Sequence, residues 1–170
     1  MTELTDALDH DQLDNLEFVP LVLYEALRFE PPASTAVRSY VTQDAKLGGL
    51  NVRKGDLFMV LIYGLHHNPN EWIEPGKFIP ERFDPASPYA LTPKGEKRDP
   101  FSFVPFIGGK RVCLGKTLAD LTAKIAVSAF LHSFDFAFED EKHMTEFAIH
   151  NIMTSRPAPV FVKATPTTHF

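Results

Sequence analysis

The chain has 170 residues, with 17 Lys+Arg against 22 Asp+Glu, a formal net charge of −5. Hydrophobic residues make up 44% and charged residues 23%, which excludes disorder along the whole length and suits one domain. The mild acidity supplies no field that would attract nucleic acid, and the single cysteine, Cys113, excludes an intrachain disulfide and any multi-cysteine zinc or iron–sulfur site.

The opening residues, with Glu3, Asp6, Asp9 and Asp11, are acidic and polar, unlike a secretory or transit peptide. Residues 1–15 show no clear periodicity. A helix is expected to begin near residues 16–20, with Pro20 in its first turn, and to run to about Phe29. Pro31-Pro32 ends it, because a residue before proline avoids helical geometry. The helix is apolar almost all round (Leu21, Val22, Leu23, Ala26, Leu27), which predicts that it is buried. Residues 35–62 read as strands and turns. Val37-Arg38-Ser39-Tyr40-Val41 alternates, Gly48-Gly49 and Lys54-Gly55-Asp56 read as turns, and the run Leu57-Phe58-Met59-Val60-Leu61-Ile62-Tyr63 predicts a strand buried on both faces. That run is far shorter than the roughly 20 residues a membrane-crossing helix needs, so no insertion into a bilayer is expected of this chain.

Between Pro69 and Pro105 lie eight of the 14 prolines. So long an irregular stretch inside a compact domain is either functional or a linker, and Trp72, Phe78, Phe83, Phe101, Phe103 and Phe106 argue against a linker. The strongest helix signal follows, with Leu114, Leu118, Leu121, Ile125 and Ala129 at helical spacing and an end near His132-Ser133. Phe134, Phe136 and Phe138 then alternate as a strand would, and residues 159–163 are expected to pair with an earlier strand. The fold class is α+β, with two main helices, several short strands and no internal repeat.

The chemistry concentrates in Pro105-Phe106-Ile107-Gly108-Gly109-Lys110-Arg111-Val112-Cys113-Leu114-Gly115. Here a glycine-bearing, cationic loop delivers Cys113 to the start of a helix, where amide groups and the helix dipole favour a thiolate. Gly108 and Gly115 let backbone approach a flat ligand closely. An isolated cysteine is commonly a small buried apolar residue, but such a residue needs no glycine loop, no adjacent arginine and no helix start. Gly115-Lys116-Thr117 also ends like a phosphate-binding G-x-x-x-x-G-K-[ST] loop, yet that pattern requires glycine where Lys110 stands, which speaks against a nucleotide binder.

These residues resemble the cytochrome P-450 family of haem-thiolate monooxygenases. The family's signature F-x-x-G-x-[RH]-x-C-x-G is matched by Phe106, Gly108, Arg111, Cys113 and Gly115, its E-x-x-R by Glu25 and Arg28, and its P-E-R-F by Pro80, Glu81, Arg82 and Phe83, in the expected order. The resemblance implies haem b as cofactor, with Cys113 as axial iron ligand. Phe106 is then expected beside the sulfur and Arg111 paired with a propionate. Arg38 is either a second propionate contact or an exposed strand residue. It further implies that Glu25, Arg28 and Arg82 form a triad that fastens the proline-rich stretch and supports the cysteine loop. Beyond the haem ligand, no catalytic group is expected here. The implied reaction is oxygen insertion into a small apolar organic substrate. Reducing equivalents would come from a flavoprotein reductase or ferredoxin, docked on the basic patch Lys110, Arg111 and Lys116. Residues 32–37 and Ile152-Met153-Thr154 resemble substrate-facing segments. His66-His67 resembles a short family helix in which such residues are structural or exposed, while His10, His132, His143, His150 and His169 show no ligand spacing and are expected at the surface.

The resemblance spans about residues 16–162 and corresponds only to the family's C-terminal part, so residues 1–170 are expected to be a single partial domain without the N-terminal half. A chain covering one face of a haem is expected to bind it weakly or not at all and to be inactive alone. A non-catalytic interaction module is the alternative. If the parent is a full-length eukaryotic enzyme, the resemblance implies association with the endoplasmic reticulum membrane.

Overall fold

The computed structural model describes residues 16–140, 142, 149–151, 155–157 and 159–167. Helix α1 spans Val19–Phe29, with Pro20 in its first turn, where a missing N–H costs nothing. Its last turn closes at Glu30, whose N–H donates to the Ala26 carbonyl at 3.0 Å. Strand β1 (Thr35–Tyr40) pairs antiparallel with β4 (Leu57–Leu61), with a register shift between Ala36 and Arg38. Between them β2 (Ala45–Leu47) and β3 (Leu50–Val52) form a hairpin. Gly48 and Gly49 supply its turn at φ +55° and +85°, conformations that side chains with a Cβ resist. The short helix α2 (Ile62–His66) follows β4 directly. The apolar run at residues 57–63 is therefore not one strand buried on both faces. Its last two residues are helical, and Leu57, Phe58, Met59 and Leu61 are exposed because β4 has a partner on one edge and, among the described residues, too little packed on its faces.

The proline-rich stretch is a chain of 3₁₀ turns, each opened by proline: Pro80–Phe83, Pro88–Ala90 and Pro100–Ser102. Proline's fixed φ suits the first position of such a turn. Two of the turns are capped from the preceding residue. Ser87 Oγ accepts the Tyr89 N–H at 3.2 Å, and Asp99 Oδ1 accepts the Phe101 N–H at 2.7 Å. Helix α3 (Lys116–Ser133) then runs 18 residues and passes into β5 (Phe134–Phe138), which pairs with β8 (Val162–Pro166). The C-terminal strand thus begins three residues later than the sequence suggested. Thr167 ties its end back to α3, its N–H and hydroxyl donating to the Ser133 and His132 carbonyls at 3.0 and 2.8 Å. Strands β6 (Ile149–Asn151) and β7 (Ser155–Pro157) form a fourth two-stranded sheet.

Hydrocarbon burial is sparse. Among the described residues only Pro31, Ile62 and Trp72 are buried apolar side chains, while Glu25, Arg28, His66 and Arg82 have no exposed surface at all. Helix α1 is half-buried rather than enclosed, with Ala26 exposed. Packing centres on an aromatic cluster between α1, the turn at residues 80–83 and the loop before the cysteine segment. Phe83 and Phe103 lie 4.8 Å apart between ring centroids, Tyr24 and Phe83 5.6 Å, and Trp72 and Phe83 6.0 Å.

Candidate functional site

The site has two parts, a buried ionic node and an exposed cysteine loop. In the node, Glu25 and Arg28 project from one face of α1, as their three-residue spacing dictates. Arg28 Nε and Nη2 reach Glu25 Oε2 and Oε1 at 2.7 and 2.8 Å. Arg82, carried in by the 3₁₀ turn at Pro80–Phe83, brings its Nε to Glu25 Oε1 at 3.2 Å. The Ile79 N–H donates to the same oxygen at 2.8 Å.

The remaining guanidinium protons go to main-chain carbonyls. Arg28 donates to His66, Pro75 and Lys77, each at 3.0 Å. Arg82 donates to Glu74 at 2.7 Å, to Lys77 at 3.2 Å and to Ile73. One carboxylate and two planar forks therefore hold the irregular backbone of residues 66–79 against α1. Arginine suits this task because its donors are fixed in a plane and its charge persists. Burial lowers the pKa of Arg82, and the Glu25 carboxylate beside it works in the opposite direction.

Two further members of this node carry no sequence signal. Arg98 lies with its guanidinium 4.3 Å from the Trp72 ring centroid and donates to the Tyr89 and Arg82 carbonyls at 2.7 and 2.6 Å. His66 accepts the Val104 N–H on Nε2 at 3.0 Å and packs 5.1 Å from the Phe103 ring. Nothing in residue type or spacing names a main-chain donor or acceptor as partner, so Arg98 drew no expectation and His66 only that of a structural or exposed residue in a short helix.

The cysteine loop is closed by its own backbone. The Cys113 N–H donates to the Phe106 carbonyl at 2.9 Å, and the loop between them contains a 3₁₀ turn at Gly109–Arg111. Two residues take left-handed backbone, Gly109 at φ +69° and Ile107 at φ +62°. For glycine this is ordinary; for a β-branched residue it is an outlier that the surrounding loop must enforce. A Cβ on Gly108 would stand 3.2 Å from the Phe101 ring, so glycine permits that approach. A Cβ on Gly115 would stand 3.9 Å from Cys113 Sγ, inside the space beside the sulfur.

Cys113 is exposed, two residues before Gly115, which is the N-cap of α3. Its neighbours Val112 and Leu114 are exposed too, Leu114 completely, and Leu118 one turn on is 70% exposed. Arg111 and Lys110 are exposed and, among the described residues, form no ion pair. Lys116 differs: its ammonium is bound to Asp120 at 2.7 Å, which raises its pKa, and lies 5.8 Å from the Phe106 ring centroid. It is not free to cradle a phosphate. Phe106 is half-buried and forms one wall of a cavity of about 240 Å³ between α1 and α3. Arg38 lies in β1 opposite Met59. Ile152-Met153-Thr154 falls outside the described residues, as do His10, His143 and His169; His132 is exposed.

An exposed thiol set among uncovered apolar side chains, with an unpaired guanidinium two residues away and glycine on either side, fits a flat apolar ligand that carries a metal and anionic groups. The cytochrome P450 family model matches residues 3–164, and the chain belongs to that family. It is 36% identical over 138 residues to cytochrome P450 4F5 of Rattus norvegicus, covering 81% of this chain and 25% of that protein. It is 31% identical over 157 residues to cytochrome P450 3A31 of Mesocricetus auratus, covering 92% of this chain and 30% of that protein. The crystal structure of the cytochrome P450DA heme domain superposes with a TM-score of 0.80 at 26% identity, over 95% of this chain and 34% of that chain. The chain therefore has the mixed helix and strand architecture of part of a P450 fold, and spans about a quarter to a third of the proteins it matches. The family's cofactor is haem, its members are monooxygenases, and they draw on a redox partner and organic substrates. Among the described residues no helix is long and apolar enough to cross a membrane.

Proposed function

We propose that residues 1–170 form a single partial domain that supplies the thiolate side of a haem-thiolate monooxygenase, with Cys113 as the residue that would hold haem iron. The observation that carries this reading is the exposed sulfur on a closed, glycine-flanked loop within a chain of this family. Bound haem supplies dioxygen activation, and a thiolate ligand favours cleavage of the O–O bond.

The chain's own residues have distinct tasks. Cys113 holds the iron, and its N–H to the Phe106 carbonyl fixes the backbone from which the sulfur projects. Gly115 keeps a Cβ out of the space beside the sulfur, and Gly108 admits the Phe101 ring against the loop. Phe106 packs at the base of the loop, and Arg111 pairs with a propionate by a charge-assisted hydrogen bond. Arg38 is either a second propionate contact or an exposed strand residue. Glu25, Arg28 and Arg82 hold the support beneath the loop. The substrate is a small apolar organic molecule. The electron donor is a flavoprotein or ferredoxin with an acidic face, meeting Lys110 and Arg111; Lys116 contributes less because Asp120 already neutralises it. Membrane association would belong to a full-length parent.

The test uses the sole cysteine as its own reporter. Haem in excess is expected to slow alkylation of Cys113 and to give a thiolate-type spectrum that Cys113→Ala abolishes. An alkylation rate indifferent to haem, or an unchanged spectrum in the variant, would refute the assignment.

A further inference from the structure

We propose that His66 is a positioning residue that joins the C-terminal end of α1 to the cysteine loop in one fixed tautomer. The inference goes beyond the ligand assignment and does not depend on it. Its observation is a residue with no exposed surface whose ring accepts the Val104 N–H and whose main-chain carbonyl accepts from Arg28 of α1.

The ring's Nε2 receives the Val104 N–H at 3.0 Å. A nitrogen that accepts carries no proton, so the neutral ring must carry its proton on Nδ1. Nδ1 is buried, and no hydrogen bond to it meets ordinary geometry. The backbone of Leu27 and Arg28, in the last turn of α1, favours a proton on the ring. At the same residue the main-chain carbonyl accepts from Arg28 Nη1 at 3.0 Å.

Only Pro105 separates Val104 from Phe106, whose carbonyl receives the Cys113 N–H. A continuous link therefore runs from Arg28 of α1 through the His66 carbonyl and ring to Val104, Phe106 and Cys113. The cation Arg28 and the neighbouring His67 oppose protonation of the ring, and its burial does so more strongly, so the link stays neutral at ordinary pH. The Phe103 ring, 5.1 Å away, fixes the imidazole plane. His67 serves as an internal comparison: its ring stacks 4.1 Å from Tyr63 and lies 3.0 Å from the Tyr63 carbonyl, and it holds nothing in the cysteine loop.

The experiment uses the full chain without haem, so that failure of the ligand assignment and failure of this inference are distinguishable. In the unsubstituted protein, ¹⁵N spectra of the histidine rings are expected to show His66 protonated on Nδ1 with Nε2 as acceptor. His66→Phe keeps an aromatic ring and removes the acceptor. Amide hydrogen exchange at Val104 is then expected to rise about tenfold. A smaller rise is expected at Cys113, and none within residues 80–83. His67→Phe is expected to leave Val104 unchanged. A proton on Nε2 would overturn the inference without any variant. So would Val104 exchange that His66→Phe leaves unaltered, or that rises equally at residues 80–83.

Discussion

Glu25→Gln is the sharpest perturbation of the ionic node. The substitution preserves shape but leaves one accepting oxygen where the carboxylate had two. Those two oxygens serve four donors: Arg28 Nε and Nη2, Arg82 Nε and the Ile79 N–H. The new amide group must point its own protons at one of the arginines. Two guanidinium groups with no exposed surface would then share a buried site without a counter-charge. Breaking a buried ion pair by removing one partner costs about 3–5 kcal/mol. For comparison, Asp120→Asn breaks the i,i+4 pair with Lys116, which is about half exposed, and should cost no more than about 0.5 kcal/mol. Trp72 is the only tryptophan, is buried, and lies 5.4 Å from the Arg28 guanidinium, so its fluorescence reports the node directly in a urea titration. Amide exchange at Ile79 gives an independent local readout. A loss below about 1 kcal/mol, with Ile79 still protected, would show that the triad behaves as a surface ion pair and would refute the account of how it holds residues 66–79.

Acid should weaken the structure through His66. Burial is the largest cause that brings its pKa from 6.5 to about 4. Above the unfolded value both states are neutral and the full stability is present. As pH falls from 6.5 towards 4 the unfolded chain takes up a proton that the folded chain refuses, and stability drops, by about 3 kcal/mol at 1.4 kcal/mol per pH unit. Urea midpoints measured at pH 7, 5 and 4 should therefore decline more steeply in the unsubstituted protein than in His66→Phe, and equal slopes would exclude the histidine as the cause. Arg98→Lys keeps the charge but forfeits the planar fork that serves the Tyr89 and Arg82 carbonyls, at a cost of about 1–3 kcal/mol with a shift in Trp72 emission; an unaltered midpoint and spectrum would contradict the stacking described above.

Periodicity and punctuation made much of the fold legible. The leucine spacing of α3, the alternating phenylalanines of β5 and the glycine turn between β2 and β3 all lie where the pattern places them. Residues 69–105 read only as an irregular stretch; a capping side chain before a proline, in Ser87-Pro88 and Asp99-Pro100, is the signal by which two of its 3₁₀ turns could have been found. Burial was less legible, because periodicity shows which residues prefer cover and not whether the cover is in the same chain. Leu57, Phe58 and Leu114 are apolar and exposed for that reason. In the node, the three-residue spacing of Glu25 and Arg28 places them on one helix face, and the family resemblance implied Arg82 as the third member. His66 and Arg98 could not be paired in either way, since their partners are main-chain groups, which every residue has.

The scarcity of fully enclosed hydrocarbon among the described residues has a thermodynamic consequence. Apolar surface that becomes wet on melting is the source of the positive heat-capacity increment, and among those residues much of it is only partly covered to begin with. The melting enthalpy of this chain should accordingly vary little with temperature, and its stability curve should be broad and shallow instead of sharply domed. Cooling would then firm it only slightly, and calorimetry would record an increment per residue below the usual ~12–15 cal/mol/K.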